Sequence, residues 1–163
     1  MSHGRSPRAA LVGAGLTIGT ADALYAVLYW GARGATPGRI FQSIAAGWFG
    51  RDSYAMGWST VALGALLHYF IAFTIASTYF LAARRFSLLL RSPVPCGIAY
   101  GLGAYAVMNY LVIPLSAAAG KGTPPPSWVL GGLLVHALGV GLPAALFARA
   151  AWPPPLPRAV ESR

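Results

Sequence analysis

Four apolar stretches, residues 9–30, 57–82, 95–115 and 127–148, occupy most of the 163-residue chain, and each is long enough to cross a bilayer as a helix. A hydrocarbon core about 30 Å thick takes about 20 helical residues to cross. Inside lipid no water is at hand for an unpaired N–H or C=O, so a spanning segment must close its hydrogen bonds within itself. The expected fold class is therefore all-α, an integral membrane four-helix transmembrane bundle forming a single domain over 1–163. Composition agrees by a separate route. With 56% apolar residues, 9% charged residues and a mean hydropathy of +0.60, a water-soluble domain would lack polar surface.

The net charge of +9 comes from twelve basic residues against Asp22, Asp52 and Glu161. The basic residues sit between or beside the apolar runs, with no aromatic-interleaved stripe on a soluble segment, so no nucleic-acid partner is expected. They divide unevenly. Arg5, Arg8, Arg84, Arg85, Arg91, Arg149, Arg158 and Arg163 fall on one side of the alternating spans, and Arg33, Arg39, Arg51 and Lys121 on the other. Loops rich in Lys and Arg stay on the cytoplasmic side, which predicts both termini there, in a bacterial inner membrane. The first run continues through Tyr25, Tyr29 and Trp30, aromatic residues suited to the membrane interface, and is read as a span rather than a cleaved signal peptide.

The loops differ in kind. After the first span, Ile40, Phe41, Ile44, Ala45, Trp48 and Phe49 recur at helical spacing behind Pro37 and Gly38. That segment is too short to span, so a helix in the outer interface or a re-entrant lid over the bundle mouth is expected, with Gln42 and Ser43 setting its polar face. Pro93 and Pro95 stop the second loop, Pro124 to Pro126 end the third, and 152–163 reads as a flexible Pro-rich cytoplasmic tail. Cys96 is the only cysteine and forms no internal disulfide.

Each span carries one strongly polar residue deep inside: Asp22, His68, Asn109 and His136. Asp22 lies fourteen positions past Arg8, His68 sixteen before Arg84, Asn109 fourteen past Pro95 and His136 thirteen before Arg149. At about 1.5 Å per residue all four fall near one level, roughly 20 to 24 Å from the cytoplasmic ends. Helical spacing places His68 with Gly64, Ala65 and Ala72, and His136 with Gly132 and Gly139; small faces pack on other helices, so both imidazoles should point inward. Interhelical hydrogen bonds alone could explain a polar layer. A carboxylate at this depth is a costly way to make them, which points to proton or ion handling by Asp22 with His68 or His136. A second possibility is a cofactor, with His68 and His136 as axial ligands of a haem, or as two ligands of a transition metal completed by Asp22. A third is a structural subunit of a larger membrane complex, the small-residue faces supplying the contact. A bundle of this size encloses little volume, so solute transport is expected to need a homo-oligomer.

Enzyme chemistry finds less support. The serines sit in no nucleophile motif, HExxH is absent, and one deep acid is too few for paired-carboxylate chemistry. The spacings Gly13, Gly15, Gly19 and Gly101, Gly103, Ala106 lie within spans, away from the strand-to-helix turn that a dinucleotide fingerprint requires. Gly15 with Gly19 and Gly97 with Gly101 instead permit close helix approach.

The segments LGALLHYFIA, GIAYGLGAYAVMNYLVIPLS and PPPSWVLGGLLVHALGVGLPAAL resemble the small four-helix bacterial inner-membrane proteins of the YagU-like family over roughly residues 57–150. The corresponding features are His68 in the second span, Pro114 and Leu115 closing the third, the Pro124 to Pro126 outer loop, and His136 early in the fourth. The resemblance implies an inner-membrane location and a part in acid tolerance.

Overall fold

The computed structural model describes residues 6–118 and 122–153. The tail beyond residue 153, together with Arg5, Lys121, Arg158 and Arg163 of the charge pattern, lies outside the described residues. Six helices follow one another: α1 (Pro7–Gly31), α2 (Pro37–Phe49), α3 (Trp58–Arg85), α4 (Leu88–Arg91), α5 (Pro93–Leu115) and α6 (Pro126–Ala151), with a 3₁₀ turn at Gly50–Tyr54 before α3. No strand occurs among the described residues. Of these, α1, α3, α5 and α6 are long and apolar enough to cross a membrane.

Local chemistry sets the helix starts. Pro7, Pro37, Pro93 and Pro126 stand in the first turns of α1, α2, α5 and α6, where a missing N–H costs nothing. Ser6 Oγ accepts from the Ala9 amide at 3.4 Å and Thr36 Oγ1 from the Arg39 amide at 3.3 Å, satisfying donors that the helix leaves open. The helices outrun the apolar stretches at Arg84, Arg85 and Arg149, because charge ends an apolar run without ending the hydrogen-bond ladder.

Two kinds of contact hold the bundle. Towards the end where α1 begins, Ala10 and Ala14 of α1, Ala72, Ala76 and Ala83 of α3, and Ala144, Ala145 and Ala148 of α6 are buried around Ile18, Tyr79 and Val140. Alanine lets three helices approach closely. Between α5 and α6 the contact is backbone to backbone: a Cβ on Gly101 would collide with the His136 carbonyl, and one on Gly141 with the Gly97 carbonyl and the Gly101 amide. Gly15 and Gly19 instead receive the rings of Phe73 and Tyr69 from α3. The small-residue faces are thus occupied within the chain.

These contacts arrange the spans in the order α3, α1, α6, α5, and the outer halves of α3 and α5 do not pack together. Drawn tightly to α6, α5 stands away from α3, and a cleft opens between them. Its floor is at the contact of Ile75 with Tyr100: Ile75 lines the cleft, and the Tyr100 hydroxyl of α5 donates to the Ile75 carbonyl at 2.7 Å, its ring edge-on to Tyr79.

The roof is α2. It packs on α3 closely enough that a Cβ on Gly64 would collide with the Phe41 carbonyl, and its Gly47 carbonyl accepts from the Ala117 amide just past α5 at 3.0 Å. Of the two residues expected to set its polar face, Gln42 turns into the protein. Gln42 is buried, its Nε2 donating to the Gly57 carbonyl at 3.1 Å and to Thr60 Oγ1 at 3.4 Å, while Trp48 and Phe49 are exposed. Gln42 Nε2 thus ties α2 to the start of α3, sharing the Gly57 carbonyl with Thr60 Oγ1, which donates to it at 3.1 Å.

Candidate functional site

The cleft between α3 and α5, backed by α1 and α6 and roofed by α2, is a cavity of about 600 Å³. Asp22, His68, Asn109 and His136 all line it. The expectation that one copy of the bundle encloses little volume is therefore corrected: small residues on the walls, among them Gly19, Ala23, Ala26, Gly47 and Gly132, leave the space that the parting of α3 and α5 creates.

Within the cavity the four polar residues form no single cluster. Asp22 Oδ1 of α1 stands 3.8 Å from His136 Nδ1 of α6, with the side chains 33% and 13% exposed respectively. The imidazole is oriented by its own helix, since Nδ1 lies 3.0 Å from the Gly132 carbonyl. A carbonyl only accepts, so Nδ1 carries hydrogen and Nε2 of a neutral ring carries the lone pair. Tyr105 of α5 presses edge-on against that ring, centroids 5.2 Å apart.

The backbone contributes as well. Residues His136–Gly141 form a π turn, in which the Leu142 amide reaches back to the Ala137 carbonyl, and a second π turn covers Met108–Val112. Such bulges shift the faces of the residues beyond them, and they concentrate at functional sites. One begins at His136 and the other contains Asn109.

His68 takes a different partner. Its Nε2 lies 2.7 Å from the Gly19 carbonyl of α1, so this ring carries hydrogen on Nε2 and leaves Nδ1 as the base. Phe41 of the roof and Tyr69 stand edge-on to it. Asn109 is spent on its own helix, donating to the Tyr105 carbonyl at 2.9 Å. The three-ligand metal arrangement of His68, His136 and Asp22 is not formed: no three His, Cys, Asp or Glu side chains converge among the described residues. The reason is positional, since His68 is anchored at Gly19, nearly one turn along α1 from Asp22.

Aromatic side chains complete the walls. Tyr25 stacks on Trp128 with centroids 4.8 Å apart and planes at 13°, and its hydroxyl donates to the Trp128 carbonyl at 2.9 Å. Trp30, Phe41, Trp48 and Tyr105 line the same space. Tyr25 and Trp30, suited by sequence to the membrane interface, line the cavity, and Tyr25 does so on the stripe that helical spacing gives it with Gly19 and Asp22. A Trp or Tyr near a span end serves as anchor or as wall, and only the rotation of its helix decides which. No buried side-chain nitrogen or oxygen among the described residues lacks a partner.

The cavity is open on an apolar rim. Trp48, Val112, Ile113 and Leu115 line it and are also 68, 40, 40 and 79% exposed. Compared with protein-family models, with curated proteins and with solved structures, the chain matches none.

Proposed function

We propose that this chain is a multi-pass protein of a bacterial inner membrane, both termini cytoplasmic, in which Asp22 and His136 handle protons at the wall of an intramembrane cavity. The observation that carries the reading is the acid beside an imidazole, 3.8 Å apart, on a cavity between four helices long and apolar enough to span. An acid near the middle of a span costs about 2.5 to 3.5 kcal/mol on insertion scales, whereas an interhelical hydrogen bond contributes only about 0.6 kcal/mol. Helix register is therefore an insufficient return for Asp22. His136 Nδ1 has the Gly132 carbonyl within hydrogen-bond range and the carboxylate just beyond it, so a small ring movement brings Asp22 within reach of the proton. Inner-membrane location and orientation rest on the arginine distribution and on the resemblance over residues 57–150, which also agrees with a part in acid tolerance.

Proteoliposomes carrying an imposed pH gradient test this. Wild-type protein is expected to dissipate the gradient and Asp22→Asn to lose that flux; a flux unaltered in Asp22→Asn sinks the reading.

A second reading, a two-histidine haem or transition-metal site, is favoured by one feature. Each imidazole hydrogen-bonds a backbone carbonyl through one nitrogen, as ligand histidines do, leaving His68 Nδ1 and His136 Nε2 for a metal. Elemental analysis of protein purified in mild detergent decides it: metal near one per chain, lost in His68→Ala, His136→Ala, supports it, and background metal removes it.

A further inference from the structure

We infer that the cavity binds a lipophilic organic cation, an amine or onium compound of drug-like size that enters from the apolar side between α3 and α5. The inference rests on the reading above, because the cation would share with the proton the one carboxylate at Asp22.

Charge is the first argument. Among the described residues lining the cavity Asp22 is the only formally charged one, and none of them is a Lys or Arg that would neutralise it. The basic residues stand elsewhere: Arg33 lies over the Tyr29 ring at 3.7 Å and Arg39 over the Tyr54 ring at 4.9 Å, and neither lines the cavity. An anion would meet a carboxylate with no counter-charge, and a cation would meet its complement.

Wall chemistry is the second argument. Tyr25, Trp30, Phe41, Trp48, Tyr105 and Trp128 give the space an aromatic lining, and the faces of such rings attract cations most strongly where water is displaced. A bare metal ion would need several oxygen or nitrogen donors converging on one point, which this cavity lacks. An organic cation needs a single counter-charge and apolar wall around it. The volume of about 600 Å³ lies within the range of small-molecule sites.

Access is the third. The exposed rim of Trp48, Val112, Ile113 and Leu115 is wholly apolar, so the opening admits a molecule that partitions into hydrocarbon and offers nothing to a hydrated ion. Charge with lipophilicity, the combination that the rim and Asp22 together select, describes an onium or a hydrophobic amine.

The test uses the full chain in mild detergent with tetraphenylphosphonium as the cation and triphenylphosphine oxide as a neutral aromatic counterpart, both followed by equilibrium dialysis. Tetraphenylphosphonium is expected to bind wild type, to bind Asp22→Asn at least about tenfold more weakly, and to recover in Asp22→Glu, which keeps the charge. The neutral compound is expected to bind at least about tenfold more weakly than the cation. Helical circular dichroism and gel-filtration elution identify any variant that has failed to fold, and Asp22→Glu against Asp22→Asn then remains a comparison of charge alone. Absence of cation binding to wild type, equal binding by Asp22→Asn, or a neutral compound that binds as tightly as the cation each overturns the inference. Asp22-dependent proton flux without cation binding removes the ligand class and leaves proton handling standing; cation binding without that flux does the reverse.

Discussion

At Gly141 a single hydrogen atom decides how near two helices come. Any Cβ there would meet the Gly97 carbonyl and the amide and Cα of Gly101, all backbone, so no side chain can rotate to make room. Gly141→Ala is therefore expected to push α5 off α6 and to lower stability by about 1 to 3 kcal/mol, measured by denaturant unfolding in micelles. A Cβ on Gly103 of the same α5 would meet nothing within 4 Å, and Gly103→Ala is expected to be neutral or to raise stability by up to about 1 kcal/mol. Equal losses at both positions would show that glycine acts here through helix propensity and not through contact. The sequence made one half of this legible. Gly97 and Gly101 stand four apart, the spacing of a close approach, but their partner was not legible because Ala137, Gly141 and Ala145, though also four apart, take their orientation from the π turn at His136–Gly141. Asp22 and His136 were each visible as deep polar residues, and their pairing depends on the same turn and on the rotation of α1.

The roof helix α2 shows how an element can be legible in outline and opaque in orientation. Its apolar spacing announces a helix that is too short to span, and the structure has one at Pro37–Phe49. Which side faces the bundle is not legible in that spacing: Gln42 turns inward to bridge the Gly57 carbonyl and Thr60. Ser53 and Thr60 extend that bridge: Ser53 Oγ donates to the Gln42 carbonyl at 3.0 Å and Thr60 Oγ1 to the Ser53 carbonyl at 2.7 Å. The Gly57 carbonyl keeps Thr60 Oγ1 as a donor at 3.1 Å, so removing the Gln42 amide costs the lost bridge alone, about 0.5 to 1.5 kcal/mol, concentrated on α2. Gln42→Leu is thus expected to loosen the roof while the four long helices persist. Labelling of Ile44→Cys, a cavity-lining position, by a thiol reagent in a Cys96→Ala background measures this; the rate should rise several-fold in Gln42→Leu at unchanged helical circular dichroism. An unchanged rate would mean that the Phe41 contact at Gly64 and the Gly47 contact with Ala117 hold α2 without the polar bridge.

For the molecule as a whole, the long apolar helices were the most legible property and the cavity the least, because length and hydropathy belong to single segments and a void belongs to the spacing among four. Charge lies between these extremes, since each arginine is read from the chain but its side depends on how many helices cross. Among the described residues Arg8, Arg84, Arg85, Arg91 and Arg149 gather where α1 starts and α3 and α6 end, and Arg33, Arg39 and Arg51 gather at the opposite end. The first group belongs to the short connections and termini where basic residues fix orientation, and it outnumbers the second. The first group is therefore expected in the cytoplasm. In a Cys96→Ala background, a membrane-impermeant thiol reagent applied to intact cells should label Gly34→Cys, which follows α1, and spare Ser87→Cys, which precedes α4, until the cells are permeabilised. The reverse pattern would invert the protein, and with it the route by which protons reach Asp22. That residue lies about 21 Å along α1 from Arg8 and about 14 Å from the helix end at Gly31. In the expected orientation the cavity and its α2 roof are nearer the outer face, while the alanine-packed half and the Tyr100 floor separate Asp22 from the cytoplasm. Under the proposed function a proton arriving from outside would then meet the roof, and one arriving from inside the alanine-packed half.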